Sequence, residues 1–478
     1  MARIAFVQNL VFEYLGTMYL SSVLKNKGHK VNVFIDQGRH LYKMIGEIKN
    51  FNPDIIGFSC TTGVHLWGVK AAGLLKKEFS NVKIIFGGPH STFFPEIINE
   101  PSVDIICRGE GEYALLELAD KIDSGKDYHS ILNLWVKKDG VIFKNEIRPL
   151  IANLDELPFP DRSLYIRKHP SLNKSQKKFI VGRGCPFSCS YCFNPSLREL
   201  YKGKGSYVRL RNVENVIREI KEVKNEYRTK LFYIQDDTFA FNKRWALDFL
   251  EQYKKEVKIP FICPIRADLI DEEIVKNLKQ AGCQNVFFGL ESGSENIRNF
   301  ILKKQITDEQ IYKTANLLRK YRIGFRTYNM FGSPNESLQD AFKTIELNIK
   351  IKTDYPWSSL LQPFPGTELG EYVKQNNIFE GDFSRFDMSF FKKSNIKLKD
   401  KKEIENLHKL FFFAVKFPFL LPLIKWAIRR ECTLLYETLF LVGYMYSFKR
   451  SEGITWSETV CMGLNNLHNF FFSRYRCQ

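Results

Sequence analysis

The feature that most constrains the fold of this 478-residue chain is a regular alternation of short apolar segments with amphipathic segments of helical period. Strands that are apolar throughout, separated by helices, are typical of a parallel sheet covered on both faces. The alternation therefore predicts a doubly wound, Rossmann-like α/β domain of about five strands, whose ligands bind at the strands' carboxyl ends. Its strand candidates are residues 3–8, 29–36, 54–60, 82–88 and 103–109.

The same alternation returns six times between residues 177 and 367, which predicts a (β/α)6 partial TIM barrel with its chemistry at the strand carboxyl ends. A hairpin with an Asp139-Gly140 turn and a proline-marked linker separate the two runs. The strand candidates of the barrel are 177–184, 230–236, 260–267, 285–291, 324–331 and 357–362. We expect a first domain over 1–150, a linker over 151–176, a barrel over 177–390 and a mainly helical region over 391–478.

Composition narrows the class of protein further. Hydrophobic residues make up 44% of the chain and aromatic residues 14%, as in a folded rather than a disordered protein. No secretory signal pattern opens the sequence, so we expect the ten cysteines in a reducing compartment, the cytoplasm, where metal or redox chemistry outranks disulfides. The formal net charge of +18 would attract anionic partners, but a lysine-rich solvated surface explains it equally well. No zinc-finger or RNA-recognition motif indicates nucleic acid.

The last part of the chain, about 395–478, is aromatic and apolar with basic clusters, as in "LHKLFFFAVKFPFLLPLIKWAIRR". Lys416, Pro418, Pro422 and Lys425 interrupt this apolar run, which disfavours a membrane-spanning helix. The pattern favours a buried helical cap, and a surface that contacts a membrane peripherally is the alternative.

A compact cysteine motif, "GRGCPFSCSYCFNP", follows the first strand candidate of the barrel. Cys185, Cys189 and Cys192 have C-x3-C-x2-C spacing, whereas a structural zinc site normally needs four ligands, usually in two pairs. Three thiolates suit an iron–sulfur cluster with one iron open to an outside ligand. A fourth zinc ligand from elsewhere in the fold stays an alternative. The other seven cysteines share no spacing and are expected as small buried residues.

With Tyr191 before its last cysteine, the motif resembles the C-x3-C-x-aromatic-C signature of radical S-adenosylmethionine (SAM) enzymes. The resemblance implies that Cys185, Cys189 and Cys192 hold a 4Fe-4S cluster, which cleaves SAM to a 5′-deoxyadenosyl radical that abstracts hydrogen from a substrate. It also implies a reductant protein such as flavodoxin or ferredoxin.

Segments at the ends of later strands resemble the same family: "QDDTF" (235–239), "IRADL" (265–269), "GLESG" (289–293), "MFGSPNES" (330–337) and "QPFPGTEL" (362–369). Their glycines and prolines could also form simple strand-to-helix turns, and their aspartate or threonine residues could cap helices. The resemblance implies a SAM-binding role for Tyr191, Phe193, Asp236, Asp237, Arg266, Glu291, Ser292, Gly332, Pro363 and Pro365.

The first domain resembles the cobalamin-binding domain of class B radical SAM proteins, through "GFSCTTG" (57–63), "FGGPHST" (86–92) and "CRGEGE" (107–112). The D-x-H-x-x-G motif that supplies a histidine beneath cobalt in other cobalamin domains is absent. His90 is a candidate ligand, although a loop hydrogen-bonding role is favoured. The resemblance implies that cobalamin is bound by Ser59, Thr61, Thr62, Gly87, Gly88, Pro89, His90, Gly109 and Glu110.

Together these resemblances imply a cobalamin-dependent radical SAM enzyme that methylates an unactivated carbon of a small-molecule or lipid-linked substrate. A radical cyclase or rearrangement enzyme without methyl transfer is one alternative. A non-catalytic, metal-stabilised binding protein is the other, supported by the positive charge and the aromatic tail.

Overall fold

The computed structural model describes residues 1–36, 41–380, 390–460 and 463–464. The predicted first domain is a sheet whose first five strands are parallel and apolar, because both of its faces are covered by helices. The sheet has seven strands in the order β2-β1-β3-β4-β5-β6-β7. They are β1 (Arg3–Gln8), β2 (Lys30–Ile35), β3 (Ile55–Ser59), β4 (Lys83–Gly87), β5 (Ile105–Cys107), β6 (Leu134–Lys138) and β7 (Val141–Lys144).

The predicted hairpin extends this sheet from the expected five strands to seven. Asp139 and Gly140 both have positive φ, 51° and 80°, which is the backbone of a tight two-residue turn. The helices of this part and of the linker are α1 (Leu15–Asn26), α2 (Leu41–Phe51), α3 (Val64–Glu78), α4 (Pro89–Phe93), α5 (Glu112–Asp123) and α6 (Ser163–Ile166).

The predicted partial barrel is a parallel six-stranded sheet in the order β15-β14-β13-β12-β11-β8. Its strands are β8 (Gln176–Phe179), β11 (Leu231–Ile234), β12 (Phe261–Ile265), β13 (Cys283–Glu291), β14 (Gly324–Phe331) and β15 (Tyr355–Leu360). The first barrel strand is shorter than the predicted 177–184. After Phe179 the chain leaves the sheet and forms an antiparallel pair, β9 (Gly182–Arg183) with β10 (Arg209–Leu210), directly before the cysteines.

Several helices of the barrel begin at a residue whose side chain caps the free backbone N–H groups of the first turn. Thr307 and Ser337 each form a capping box at the start of their helices, and Asn242, Asp271 and Thr367 accept from backbone N–H groups of theirs. The barrel helices are α7 (Asn194–Leu200), α8 (Val213–Glu226), α9 (Lys243–Glu256), α10 (Glu272–Gln280), α11 (Asp308–Lys320), α12 (Leu338–Lys350) and α13 (Glu368–Gln375).

The C-terminal region is helical, as expected, with α14 (Lys401–Lys416), α15 (Leu421–Ala427) and α16 (Thr433–Glu452). The end of α16 packs against the amino-terminal side of the barrel strands, where the Glu452 carboxylate pairs with Arg326 of β14 at 3.0 Å. The Arg326 guanidinium lies over the Phe287 and Trp357 rings at 4.3 and 4.7 Å. Within the described ranges, no helix is both long and apolar enough to span a bilayer. Residues 465–478 of the predicted tail lie outside the described residues.

Candidate cofactor site

A cavity of about 540 Å³ lies between the carboxyl edge of the first sheet and the carboxyl edge of the barrel. Both sheets contribute the loops that follow their strands, so residues expected at each of the two cofactor sites line one space, although the three cysteines of the motif are not among its lining residues. Six of the expected cobalamin residues line it: Ser59, Gly87, Gly88, Pro89, Gly109 and Glu110. From the barrel the lining includes Phe193, Asn194, Asp236 and Asp237.

The glycines of the first sheet let three loops pack closely around this cavity. Gly88 has φ of 89°, and a Cβ placed there would lie 2.9 Å from the carbonyl oxygen of Cys60. Gly109 has φ of 75°, and its Cβ would overlap the Tyr201 hydroxyl. Only glycine fits both positions, so the wall presented to the cavity is largely backbone. A close backbone wall fits a large, flat ligand such as a corrin ring.

His90, Thr61 and Thr62 do not line the cavity. The His90 ring is buried, with its Nδ1 3.1 Å from the Thr62 hydroxyl, and it stacks on the His65 ring at 3.7 Å. Burial lowers the pKa of His90 to about 3, so this imidazole is neutral. These contacts correspond to the loop hydrogen-bonding role favoured by the sequence and not to a ligand of a cofactor in the cavity.

Glu110 lines the cavity, but both of its carboxylate oxygens are already engaged across the domain boundary. Its Oε1 pairs with Arg183 of β9 and Arg209 of β10, each at 2.8 Å. Its Oε2 accepts from the backbone N–H of Ile151 at 3.0 Å. The ion pairs keep the pKa of Glu110 below its usual value despite burial. The residue therefore fixes the first sheet to the segment that precedes the cysteines.

The cysteine loop is held by hydrogen bonds from three directions. Ser190 donates through its N–H to the Leu302 carbonyl at 3.1 Å and accepts from the Leu369 N–H at 2.9 Å. The Cys192 sulfur accepts from both the backbone and the side-chain nitrogen of Asn194 at 3.4 Å. The Arg266 Nη1 lies 3.8 Å from the Cys189 sulfur. Donors aimed at sulfur stabilise thiolates, as iron–sulfur clusters require.

The three cysteines of the motif lie within eight residues of one loop. Among the residues that the structure describes, no group of three His, Cys, Asp or Glu side chains forms a site for a single metal ion. A four-iron cluster places each thiolate on a different iron atom. The donor set, with three thiols on one supported loop, therefore fits a cluster with one iron left for an outside ligand.

A buried ion pair lies beside this loop. The Glu291 carboxylate accepts from Lys304 Nζ at 2.9 Å and from the Tyr191 hydroxyl at 3.0 Å. Glu291 ends β13 at a register shift and has φ of 67°, and such a bulge re-aims a side chain at a strand end. Tyr191 belongs to the cysteine motif, so the pair links the expected SAM residue Glu291 directly to the cluster loop.

Arg266 forms a second charged group on the same side of the barrel. Its guanidinium is held by both oxygens of Asp268 at 2.9 Å and stacks 3.6 Å from the Phe187 ring centroid. It also donates to the Lys304 carbonyl at 2.9 Å. Arg266 and Lys304 thus lie beside the loop as two cations, each paired with a carboxylate of the protein, Asp268 and Glu291 respectively.

Asp236 and Asp237 follow β11 and lie open to the cavity. Asp236 accepts from the Val181 N–H at 2.8 Å, and Asp237 is hydrogen-bonded to the Asn194 side chain. The surrounding protein raises the pKa of Asp236 to about 8 by desolvation, and it raises the pKa of Asp237 as well. Burial therefore favours the neutral form of the Asp236 carboxyl.

Four other expected SAM residues lie in tight turns. Ser292 is fully buried and accepts from the Ser294 N–H at 3.2 Å. Gly332 has φ of 83° and donates to the Glu336 carboxyl group at 2.5 Å. Pro363 and Pro365 are buried in the loop after β15, and Gly366 of that loop accepts from Ser196 at 2.5 Å. Their contacts within the protein shape the turns around the site.

Sequence reasoning did not select several residues that the structure brings to this site. Lys304 lies in an ordinary polar segment, and only its ion pair with Glu291 distinguishes it. Phe93 stacks on Phe193 at 4.4 Å and closes the boundary between the two sheets. Arg183 and Asn194 both lie inside the quoted cysteine motif, so their position could have indicated them. The others are Tyr201, Tyr207 and Arg209.

Comparisons with known proteins define the class. Residues 179–347 match the family model of the radical SAM superfamily, and residues 7–119 match the B12 binding domain. The chain is 33% identical over 370 residues to an uncharacterized methyltransferase of Pyrococcus horikoshii, which covers 76% of this chain and 79% of the relative. The chain belongs to the radical SAM enzymes with an N-terminal cobalamin-binding domain, and its cofactors are a 4Fe-4S cluster, SAM and cobalamin.

Other relatives share the architecture. The chain is 25% identical over 384 residues to the anaerobic magnesium-protoporphyrin IX monomethyl ester cyclase of Rubrivivax gelatinosus, covering 74% of this chain and 66% of that protein. Its fold is similar to that of the cobalamin-dependent SAM radical enzyme OxsB, solved with aqua-cobalamin and SAM bound. That match has a TM-score of 0.70 at 18% identity and covers 98% of this chain and 75% of OxsB.

We expect Glu291→Gln to weaken SAM binding about tenfold, because it leaves the buried Lys304 charge without its carboxylate and weakens the hydrogen bond that holds Tyr191 of the cysteine loop in place. Equilibrium dialysis of SAM with cluster-loaded protein measures the effect. Glu295→Gln is the matched control, since Glu295 also pairs with a cation, Arg298, but is 53% exposed. Unchanged SAM affinity in Glu291→Gln, with only a lower melting temperature, would show a purely structural role.

Proposed function

We propose that this enzyme replaces a C–H hydrogen of an unactivated substrate carbon by a methyl group. One observation carries the proposal: the glycine loops of the cobalamin-binding domain and the residues beside Cys192 line the same cavity. A hydrogen-abstracting centre and a methyl donor must reach the same carbon, and a shared cavity allows this. The methyltransferase of Pyrococcus horikoshii, at 33% identity, supports the same reaction class.

The stoichiometry follows from the chemistry of the cofactors. When bound, the cluster and cobalamin supply electron transfer to SAM and methyl transfer to carbon. One SAM accepts an electron and yields methionine and a 5′-deoxyadenosyl radical, which takes the substrate hydrogen and becomes 5′-deoxyadenosine. A second SAM supplies the methyl group and becomes S-adenosylhomocysteine. Two SAM and two electrons are consumed for each methyl group added, and no proton is released.

The residues of the chain bind, orient and shield the reactants in this proposal. Asn194 and Arg266 donate toward the Cys192 and Cys189 sulfurs. The Glu291–Lys304 pair fixes the Tyr191 hydroxyl of the loop beside which SAM binds. The Asp236 carboxyl, whose neutral form burial favours, lies at the cavity wall beside Asp237. Phe93 and Phe193 stack across the domain boundary and exclude water from the reacting carbon.

The substrate in this proposal is a small molecule or a lipid-linked molecule with an apolar reacting part. The cavity wall brings Phe58, Ile85, Phe93 and Leu197 together with a few polar groups. The electrons come from a low-potential reductant protein of the flavodoxin or ferredoxin class, which places the enzyme in a reducing, cytoplasmic compartment.

Labelled SAM tests the proposal. The reconstituted enzyme, a reductant and SAM with a deuterated methyl group are incubated anaerobically with a small-molecule or lipid extract, and products are analysed by mass spectrometry. We expect a labelled methyl group in the product, with 5′-deoxyadenosine and S-adenosylhomocysteine formed in equal amounts. Product formation with 5′-deoxyadenosine but without label or S-adenosylhomocysteine would instead establish a cyclase or rearrangement enzyme.

A further inference from the structure

The C-terminal helices expose a row of large apolar side chains. Phe419 is 77% exposed, Trp426 59% and Leu434 80%, although each is a residue type usually kept from water. Together with their exposed neighbours they form what we call the C-terminal face. It consists of Phe417, Phe419, Leu423, Trp426, Leu434 and Leu435.

The three helical segments that carry the face pack against one another, and the Tyr436 hydroxyl of α16 donates to the Ala427 carbonyl of α15 at 2.6 Å. Asn406 of α14 donates to the carbonyl oxygen of Ile428, just beyond α15, at 2.8 Å, so α15 runs back along α14. The Phe417 ring lies 6.1 Å from Phe419. Buried residues such as Ile424 and Ile428 anchor the opposite side of this segment in the core. The exposed side chains therefore stand on a fixed support, unlike those of a loose tail.

The charge around the face is strongly positive. Residues 416–450 contain six basic and two acidic residues, and both acids are already paired, Glu431 with Lys402 at 2.6 Å and Glu437 with Lys409 at 3.7 Å. Within the part of the chain that the structure describes, Lys425, Arg429 and Arg430 form no ion pair with a carboxylate. All three are exposed beside the apolar residues.

We propose that the C-terminal face docks on the surface of an anionic lipid bilayer. Phenylalanine, leucine and tryptophan enter the boundary between headgroups and acyl chains, while the unpaired cations contact anionic headgroups. A second copy of this chain is a poor occupant, because a symmetric contact would bring two positively charged faces together. The proposal is independent of methyl transfer, since it concerns only the binding of the enzyme to a membrane surface.

Vesicle flotation of the full-length, cluster-loaded protein tests this. We expect it to float with phosphatidylcholine vesicles that contain 30% phosphatidylglycerol, and at least tenfold less with phosphatidylcholine alone. Arg429→Gln/Arg430→Gln should lower binding to the anionic vesicles about tenfold or more, because each cation near the surface contributes about 1 kcal/mol. Phe419→Ala/Trp426→Ala should lower it by a similar factor.

A matched control distinguishes binding through the C-terminal face from nonspecific hydrophobic binding to vesicles. Phe300→Ala removes an apolar side chain that is 74% exposed outside the C-terminal face, and it should leave flotation unchanged. Equal binding to neutral and anionic vesicles, or equal loss in the control, would overturn the proposal. So would loss of binding on removal of residues 465–478 alone, or a dimer in light scattering that the Phe419→Ala/Trp426→Ala variant abolishes.

Discussion

Cys192→Ala is expected to lower SAM cleavage at least a thousandfold. In the proposed site the three thiolates of the motif hold the cluster, and removing one would leave an iron atom without a protein ligand, so that the cluster is lost or cannot transfer an electron to SAM. Cys192 is also the sulfur that accepts two hydrogen bonds from Asn194, so its loss removes the best supported ligand of the loop. The measurement is iron content together with 5′-deoxyadenosine formed under reduction. Cys185→Ala and Cys189→Ala should behave alike.

Cys432→Ala is the matched control, because Cys432 is a free, exposed thiol at the start of α16, far from the motif in sequence. It should retain wild-type iron content and SAM cleavage. A second control, Cys263→Ala, removes a fully buried thiol from the core between the barrel and its helices. If Cys192→Ala retained iron and cleaved SAM at the wild-type rate, the cluster assignment of these three cysteines would be wrong.

The order of strands and helices was predictable because its signal is local. Continuous apolar runs fix buried strands, and turn residues such as Asp139-Gly140 fix where the chain reverses. The end of the first barrel strand was not predictable, because β9 pairs with β10 through Arg183 and Arg209, far apart in sequence. A pairing partner at that distance leaves no periodic signal in either segment.

The residues of the site also fall into those that a local sequence pattern could predict and those that depend on contacts distant in sequence. Cysteine spacing and glycine-rich loops are local patterns, and they lead to the loops that line the cavity. Lys304 was missed because a lysine in a polar segment normally lies in solvent, whereas the bulge at Glu291 buries this one. The loop pattern left two roles open for His90, a cobalamin ligand or a favoured loop hydrogen-bonder, and its ring contacts Thr62 and His65. Side-chain direction depends on neighbours that sequence order does not reveal.

The apolar composition of the C-terminal region is consistent with both predictions made for it, a buried helical cap and an exposed surface that contacts a membrane. The buried cap was expected from its apolar run, and Phe411 and Ala414 of α14 are indeed packed in the core. The exposed Phe419 and Trp426 belong to the same run, and only their surroundings distinguish them. Apolar sequence therefore predicts burial on average, but it does not tell which residues of a helical cap are left outside.

Gly88→Ala is expected to reduce bound cobalamin to less than about a tenth of the wild-type amount. Its new Cβ would lie 2.9 Å from the Cys60 carbonyl oxygen, and the positive φ of 89° adds about 1 kcal/mol of backbone strain. Both effects displace the loop after β4 from the cavity wall that it forms with the loops of Ser59 and Gly109. The measurement is the absorbance of cobalamin that stays with the protein through gel filtration.

Gly140→Ala is the control that separates the two effects of Gly88→Ala, the steric clash of the new Cβ and the backbone strain of a positive φ. Gly140 has a similar φ of 80°, but its Cβ would meet no atom within 4 Å, and it lies in the hairpin turn away from the cavity. This variant carries the same kind of backbone strain and should keep its cobalamin. Iron content serves as an internal measure that the barrel is folded in both variants. Equal cobalamin loss in the two would mean that backbone strain alone weakens the domain, and that the close approach of Gly88 to Cys60 has no part in binding.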